Sequence, residues 1–270
     1  MTLLDLPEQL AVPVVVKRQQ QLARRCALIA LRVAAVVGLY AMYAYARNSH
    51  GLASMAAWRT AQGHADVLVA FQTALHLPPE RELQQLVLGY ESLVRISGAY
   101  YGSAHFLVTI GVLALLVLRG GAGLTRLGTT LGLSTFVAVA VFVLYPVAPP
   151  RLMPPGTSTV DTLASIGGVW SYDHGVLERI SDPFAAMPSL HLAWATWCGL
   201  ALWTLARGAR RPRVWQVVAV VHPLLTLVSV LVTGNHWYVD AVAGVLLVLL
   251  VALLQVAARA VASGRVRPRT

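Results

Sequence analysis

Residues 238–258 read YVDAVAGVLLVLLVALLQVAA, and Asp240 is the only charged side chain among them. At a rise of about 1.5 Å per residue, a helix of this length crosses a hydrocarbon core of about 30 Å. It has no polar face to turn toward water, as a surface helix of a soluble domain would. Five more runs have the same character: 27–46, 100–118, 125–145, 189–206 and 214–233. Nowhere does an alternating segment of about ten residues recur, which argues against a membrane barrel. The expected fold is therefore all-α, a polytopic membrane protein built as a six-transmembrane-helix bundle.

The whole-chain balance agrees. Of 270 residues, 57% are hydrophobic and only 12% are charged, where soluble domains carry about 25% charged residues. Mean hydropathy is +0.66. A soluble globular domain and a disordered chain are both excluded. Cys26 and Cys198 both lie in apolar runs and read as small core residues, with no disulfide framework or metal-binding pair. Residues 1–25 are mixed and polar, so no cleavable signal is expected there. One Lys, Lys17, stands against a large majority of Arg, the coding bias of a high-GC bacterium.

The net charge of +10 has to be placed relative to the spans before it can imply a partner. Lys17, Arg18, Arg24 and Arg25 precede the first run; Arg119 and Arg126 lie between the second and third. Arg207, Arg210, Arg211 and Arg213 lie between the fourth and fifth, and Arg259, Arg265, Arg267 and Arg269 follow the sixth. With six crossings, these 14 of the 21 basic residues share one side. Positive loops stay in the cytoplasm, so both termini are expected there, in the plasma membrane. Arg47, Arg59, Arg81, Arg95, Arg151 and Arg179 fall on the other side, along with eight of the 11 acidic residues. Arg32, inside the first run, is expected to snorkel toward the cytoplasm. Topology and anionic lipid account for the basic loops, and no nucleic-acid partner is expected.

The expected division is a cytoplasmic segment 1–26, one membrane domain 27–258 and a cytoplasmic tail 259–270. Two extracytoplasmic segments are long, 47–99 and 146–188. The first contains an amphipathic stretch, Ala65–Leu77, too short to span and ended by Pro78-Pro79. It is expected to lie at the interface or to form a re-entrant piece, and a second helical pattern starts near Arg81, placed so that it can run on into the second span. The second segment is rich in Pro, Gly, Ser and Thr, and loops this long are more often functional than idle.

Three pieces of sequence converge on the outer face: Tyr145-Pro-Val-Ala-Pro-Pro-Arg151, Met187-Pro-Ser-Leu-His191 and Gly234-Asn-His-Trp-Tyr-Val-Asp240. Pro188 can open a helix without losing a hydrogen bond, placing Ser189 and His191 in its first turn. Free N–H groups and the positive helix end there favour an anion such as phosphate. His236 and Asp240, four apart, share a helix face, so the carboxylate can fix the imidazole tautomer and leave the other nitrogen as base or nucleophile. Arg151 offers a planar fork suited to phosphate oxygens. Taken singly, each piece also reads as an interfacial polar residue, an ion pair or a turn with an anchor. Their convergence favours a functional site, because ionisable groups at membrane depth are expensive.

These pieces, in this order and flanked by spans, resemble the type-2 phosphatidic acid phosphatase superfamily, closest to its inositolphosphotransferase branch, which includes inositol phosphorylceramide synthases. The likeness is carried by Phe184 to His191, by Gly234 to Gly244 and by the Pro-Pro-Arg segment. It implies that His236 attacks phosphorus to give a phosphohistidine, that Asp240 orients His236, and that His191 protonates the leaving oxygen and deprotonates the acceptor. Arg151, Ser189 and the helix start around Ser189 would hold the phosphate oxygens. No metal or cofactor is implied. The implied substrate is a phospholipid or polyprenyl phosphate, and the acceptor is water or a polyol such as inositol. Similar Tyr and His residues occur in the branch near Tyr101 and His105, so these two, with Asn235, are candidate cleft residues.

The likeness has departures. The superfamily carries Lys seven residues before its first-motif Arg and Pro after it; here stand Leu144 and Leu152. Leu190 replaces the Gly of Pro-Ser-Gly-His, and Val230 replaces an Arg six residues before the third-motif His. Two positive phosphate ligands are thus absent, and Arg179 or Arg95 are candidate substitutes. These departures weigh against a generic lipid phosphatase and toward the transferase branch. Elsewhere, His222 before Pro223 reads as a kink residue, and Trp194, Trp197 and Trp203 as packing and interfacial anchors. Asp173 and His174 read as solvated. The competing reading is a non-catalytic lipid-binding or transport membrane protein. It is disfavoured because the ionisable groups cluster at the interface and not at the midplane, and the spans lack inverted repeats. A zinc hydrolase using His191, His236 and Asp240 is a third class.

Overall fold

The computed structural model describes residues 54–165 and 182–263 continuously, with isolated helical positions between Gln19 and Tyr45. The chain forms two compact units, Met1–Ala41 and Met42–Thr270. In the first, every described position is helical. Most of the expected 27–46 span lies outside the described residues, as do Cys26, Arg32, Arg47, Asp173, His174, Arg179 and the tail from 264.

The second unit contains α1 (Met55–Ala74), α2 (Glu80–Leu88), α3 (Glu91–Arg119), α4 (Gly121–Leu144), α5 (Leu190–Ala206), α6 (Pro212–Val232) and α7 (Tyr238–Ala262). A 3₁₀ turn, Pro150–Leu152, and a single helical turn, Thr162–Ser165, lie between α4 and α5. No strand occurs among the described residues; one isolated bridge pairs Val147 with Ala185. Among the described residues, four helices are long and apolar enough to cross a membrane: α3, α4 from Gly123, α6 and α7. Large side chains such as Leu107, Ile110, Leu224, Leu246 and Leu253 stand exposed on them. An apolar surface that extensive suits lipid and not water.

The apolar run 189–206 is the exception. α5 has 17 residues, about 26 Å at 1.5 Å each, and it packs against α3, α4, α6 and α7 alike. A helix enclosed on all sides needs no polar stripe, which explains its uniform hydrophobicity. Close approach depends on small residues: Ala193, Ala195, Gly199 and Ala201 are buried along it. A Cβ built on Gly199 would lie 2.6 Å from the Ala219 carbonyl oxygen of α6. That carbonyl is the one Pro223 leaves without a helical donor, since proline has no N–H to give four residues back. His222 is buried at the same place, its Nδ1 2.6 Å from the Tyr100 hydroxyl of α3.

Polar side chains on α5 find partners on α4. Trp197 Nε1 donates to the Leu127 carbonyl at 2.7 Å, and Trp194 Nε1 to Thr135 Oγ1 at 3.0 Å. Trp203 is exposed. At one end of the bundle Arg119 donates to the Leu205 carbonyl at 3.1 Å, bringing the C-termini of α3 and α5 together beside the Arg207–Arg213 turn. The three sequence motifs gather at the opposite end.

Two expectations for residues 47–99 are corrected. The helix expected over Ala65–Leu77 begins at Met55 and ends at Ala74. Before Ala65 only Ala61 is buried, too small an apolar group to carry the amphipathic pattern back to Met55. The helix expected to run from Arg81 into the second span is broken: α2 ends at Leu88 and α3 starts at Glu91, with Gly89 and Tyr90 between.

The Gly199 contact yields a test. Gly199→Val pushes a branched side chain into the α6 backbone and is expected to cost about 1–3 kcal/mol. Thermal unfolding in detergent reads this as a lowered Tm; an unchanged Tm would mean that α5 and α6 do not meet as closely as described.

Candidate active site

The site is assembled where α6 turns into α7. Thr233 caps α6, and Gly234 follows at φ 68°, a conformation that suits glycine. The Asn235 N–H bonds the Val230 carbonyl at 3.1 Å and the Gly234 N–H bonds Leu231 at 3.0 Å, the paired bonds of a Schellman ending. A Cβ on Gly234 would collide with Thr159 Oγ1. The chain then turns into α7, with Trp237 as N-cap.

Asp240, fully buried, bonds in two directions. Its Oδ2 accepts from the Trp237 N–H at 2.8 Å and its Oδ1 lies 3.0 Å from His236 Nδ1. His236 Nδ1 is also 3.1 Å from the Ala186 carbonyl. Carboxylate and carbonyl oxygens only accept, so Nδ1 carries a hydrogen and Nε2 has the lone pair in the neutral ring. Nε2 points at His191 Nδ1, 3.3 Å away.

His191 sits in the first turn of α5. Ser189 is the N-cap and not the first helical residue: its Oγ accepts from the Leu192 N–H at 3.3 Å, and its own N–H donates to the Asp240 carbonyl at 3.0 Å. Gly244 permits this crossing, since a Cβ there would strike the Ser189 carbonyl. The His191 ring stacks on Tyr101 at 4.3 Å between centroids, and His105 contacts it at 4.2 Å. His105 Nδ1–H donates to the Tyr101 carbonyl at 3.0 Å.

The first motif supplies Arg151 from the 3₁₀ turn. The Arg151 N–H donates to the Gly234 carbonyl at 3.0 Å. Its Nε donates to Asn235 Oδ1 at 2.8 Å and Nη1 to Asp161 Oδ2 at 3.0 Å, with the side chain only 8% exposed. The planar fork is thus held by partners on two loops. The motifs are also sewn together directly: the Val147 N–H bonds the Phe184 carbonyl at 2.8 Å, and Trp237 Nε1 the Ala148 carbonyl at 2.9 Å.

One cleft receives these groups. Tyr101, Arg151, Asp182, His191, Asn235 and His236 are on its wall. Ser189 is buried behind it as a cap. His105, expected in the cleft, packs behind the His191 ring instead of lining the wall. Leu144, at the position of the superfamily's Lys, is 81% exposed, and Val230, at the position of its Arg, is fully buried in the core. Arg95 does not substitute for either, because it pairs with Glu91 at 2.6 Å on the surface; Arg179 lies outside the described residues. Asp161 was not legible in the sequence: it is one acidic residue in a Pro- and Thr-rich loop, and only the fold brings it to Arg151. Among the described residues, no group of three or more His, Cys, Asp or Glu is arranged to hold a metal ion.

Bundle and cleft define a membrane-embedded helical protein whose polar centre is a buried His–Asp pair facing a second His and an Arg. Comparison with protein families matches residues 66–254 to the PAP2 superfamily, and the chain belongs to it. No curated protein and no solved structure matches the chain. Membership points to a phosphatase-type enzyme of the membrane.

Arg151 gives a direct test. A lysine keeps the charge but cannot bond Asn235 and Asp161 in one plane. Arg151→Lys is expected to lower turnover of a lipid phosphate about 10- to 100-fold, the equivalent of one or two charge-assisted bonds. Turnover at the wild-type rate would exclude a role for the fork.

Proposed function

We propose that the protein is an integral-membrane lipid phosphatase or phosphotransferase of the plasma membrane, with its termini cytoplasmic and its cleft at the extracytoplasmic face. The observation that carries this reading is the His236 ring, whose Nδ1 is committed to two acceptors while Nε2 faces the cleft. The basic turns at the far end of the bundle support the orientation, since such loops stay in the cytoplasm. The expected count of six crossings belongs to this proposal.

The chemistry follows from the positions. The lone pair of His236 Nε2 forms a bond to phosphorus as the bond from phosphorus to the lipid oxygen breaks. His191, entering in its protonated form, gives a proton to that oxygen, and the lipid alcohol leaves. Asp240 holds the Nδ1 hydrogen and stabilises the positive charge that the ring acquires. Arg151 and the N–H groups at the start of α5 hold the phosphoryl oxygens. In the second half-reaction His191 takes a proton from the acceptor hydroxyl, its oxygen bonds phosphorus, and the nitrogen–phosphorus bond breaks. With water as acceptor the product is inorganic phosphate. With inositol or another polyol it is a phosphorylated alcohol. The substitutions Leu144 and Val230 favour the inositolphosphotransferase-like branch, because they remove cations a generic lipid phosphatase of this superfamily carries.

The test uses purified protein in nanodiscs with EDTA, offered phospholipids and polyprenyl phosphates with and without inositol, products being followed by mass spectrometry. Turnover is expected, and His236→Ala abolishes it. Phosphate released without alcohol marks a phosphatase; a phospho-alcohol that requires inositol marks a transferase. Asp240→Asn keeps the side chain's shape but replaces one of its two accepting oxygens with an NH2 donor and removes the charge that stabilises the His236 ring, and is expected to cost about 10²–10⁴-fold in rate. Equal activity in wild type and His236→Ala sinks the phosphohistidine reading. No turnover of any lipid favours a non-catalytic lipid-binding or transport protein.

A further inference from the structure

The first N–H groups of a helix have no partner within it. At α7 three of them are taken by side chains. Asp240 accepts from Trp237, Glu80 Oε1 accepts from the Tyr238 N–H at 2.9 Å, and Gln72 Oε1 accepts from the Val239 N–H at 3.1 Å. Glu80 comes from α2 and Gln72 from α1, 158 and 167 residues away from the groups they bind. The two side chains are joined to each other, Gln72 Nε2 donating to Glu80 Oε1 at 2.9 Å, and are only 4% and 3% exposed. A carboxylate here also meets the positive end of the α7 dipole.

Nothing in the cleft requires a Glu or a Gln at these positions, and burying them is costly without complete partnering. Burial pushes the Glu80 carboxyl above its ordinary range, and the bonds from Tyr238 and Gln72 work against that push. The neighbouring Gln84 extends the fixation. It donates to the Val160 and Val232 carbonyls at 2.8 and 2.9 Å and accepts from the Val160 N–H at 2.8 Å, tying α2 to the end of α6 and to the loop that carries Asp161. On its other side α1 holds the first motif: the Ala61 carbonyl accepts from the Ala148 N–H at 3.0 Å, and His64 Nδ1–H donates to the Pro146 carbonyl at 2.7 Å.

We propose that Glu80 and Gln72 are positioning residues, through which the two helices outside the spans fix the first turn of α7 and thereby the His236–Asp240 pair. The proposal rests on the reading of His236 as nucleophile. It gives the long 47–99 segment a role: it braces the site without touching substrate. A misplacement of about 1 Å is enough to cost roughly 10²-fold in rate.

The test uses the full-length protein in nanodiscs, with phosphatidic acid and a polyprenyl phosphate as probes. Glu80→Ala is expected to lower kcat about 10- to 100-fold while leaving KM within about threefold, since the phosphate is held by other groups. Glu80→Gln keeps an oxygen in place for the Tyr238 N–H and is expected to recover at least tenfold of that loss. Independently of turnover, hydrogen exchange followed by mass spectrometry should show faster exchange of the Tyr238 and Val239 amides in Glu80→Ala and Gln72→Ala, with the interior of α5 unchanged. Wild-type kcat in Glu80→Ala beside an inactive His236→Ala overturns the proposal. So does unchanged exchange at those two amides, or a loss that Glu80→Gln leaves unrecovered. Persistent turnover in His236→Ala defeats the nucleophile reading instead, and the exchange result then stands alone on whether the brace exists.

Discussion

The Asp240 carboxylate is buried completely and has to be partnered from every side. Its two oxygens take the His236 ring and the Trp237 N–H, and its backbone carbonyl takes the Ser189 N–H. One residue therefore fixes a ring tautomer, starts a helix and ties the beginning of α5 to the beginning of α7. A lost partner would leave a charge stranded in a low-dielectric interior, a far larger penalty than the loss of an ordinary contact. The rest of the cleft is arranged around this requirement. Ala186 meets the same His236 nitrogen, and Arg151 reaches Asn235, the residue just before that ring.

Packing in the spans serves the same end. α5 carries His191 at its tip and is surrounded by four helices, so the position of that ring depends on how closely those helices approach. Gly199 and Gly244 allow close approach, each meeting a backbone carbonyl where a side chain would otherwise stand. In lipid there is little hydrophobic force between helices, and such small-residue contacts with buried hydrogen bonds hold the bundle. The bonds from Trp194 and Trp197 to α4 are of that second kind.

Much of this was legible in the residues, and the illegible parts share a cause. Long apolar runs announce helices because only a hydrogen-bonded helix can satisfy its backbone inside hydrocarbon. The i, i+4 spacing of His236 and Asp240 announces their pairing but not its geometry: His236 stands before the N-cap Trp237, off the helix face expected for it, and Asp240 in the first turn of α7 reaches back to its ring. Asp161, Glu80 and Gln72 announce nothing: each binds a group far away in the chain, and none belongs to a local pattern. The start of α1 is illegible for a related reason, since before Ala65 its buried side is Ala61 alone, with little hydrophobicity to read. His105 shows the reverse failure. Its spacing from Tyr101 places both on one side of α3, and both rings contact His191, but only Tyr101 lines the cleft.

By itself, then, the sequence determined that the chain is helical and apolar, that its basic residues collect in alternate turns, and that two His, an Asp and an Arg stand at the ends of apolar runs. Those are properties of composition and of short spacings along the chain. Only the tertiary structure decided which of these groups share a cleft, that Ser189 serves as a cap behind it, and that α1 and α2 grip the first turn of α7. The physical reason is that an orphaned N–H or carbonyl can be satisfied by any suitable side chain the fold delivers. The identity of that side chain is a consequence of how the helices pack and not of any local pattern.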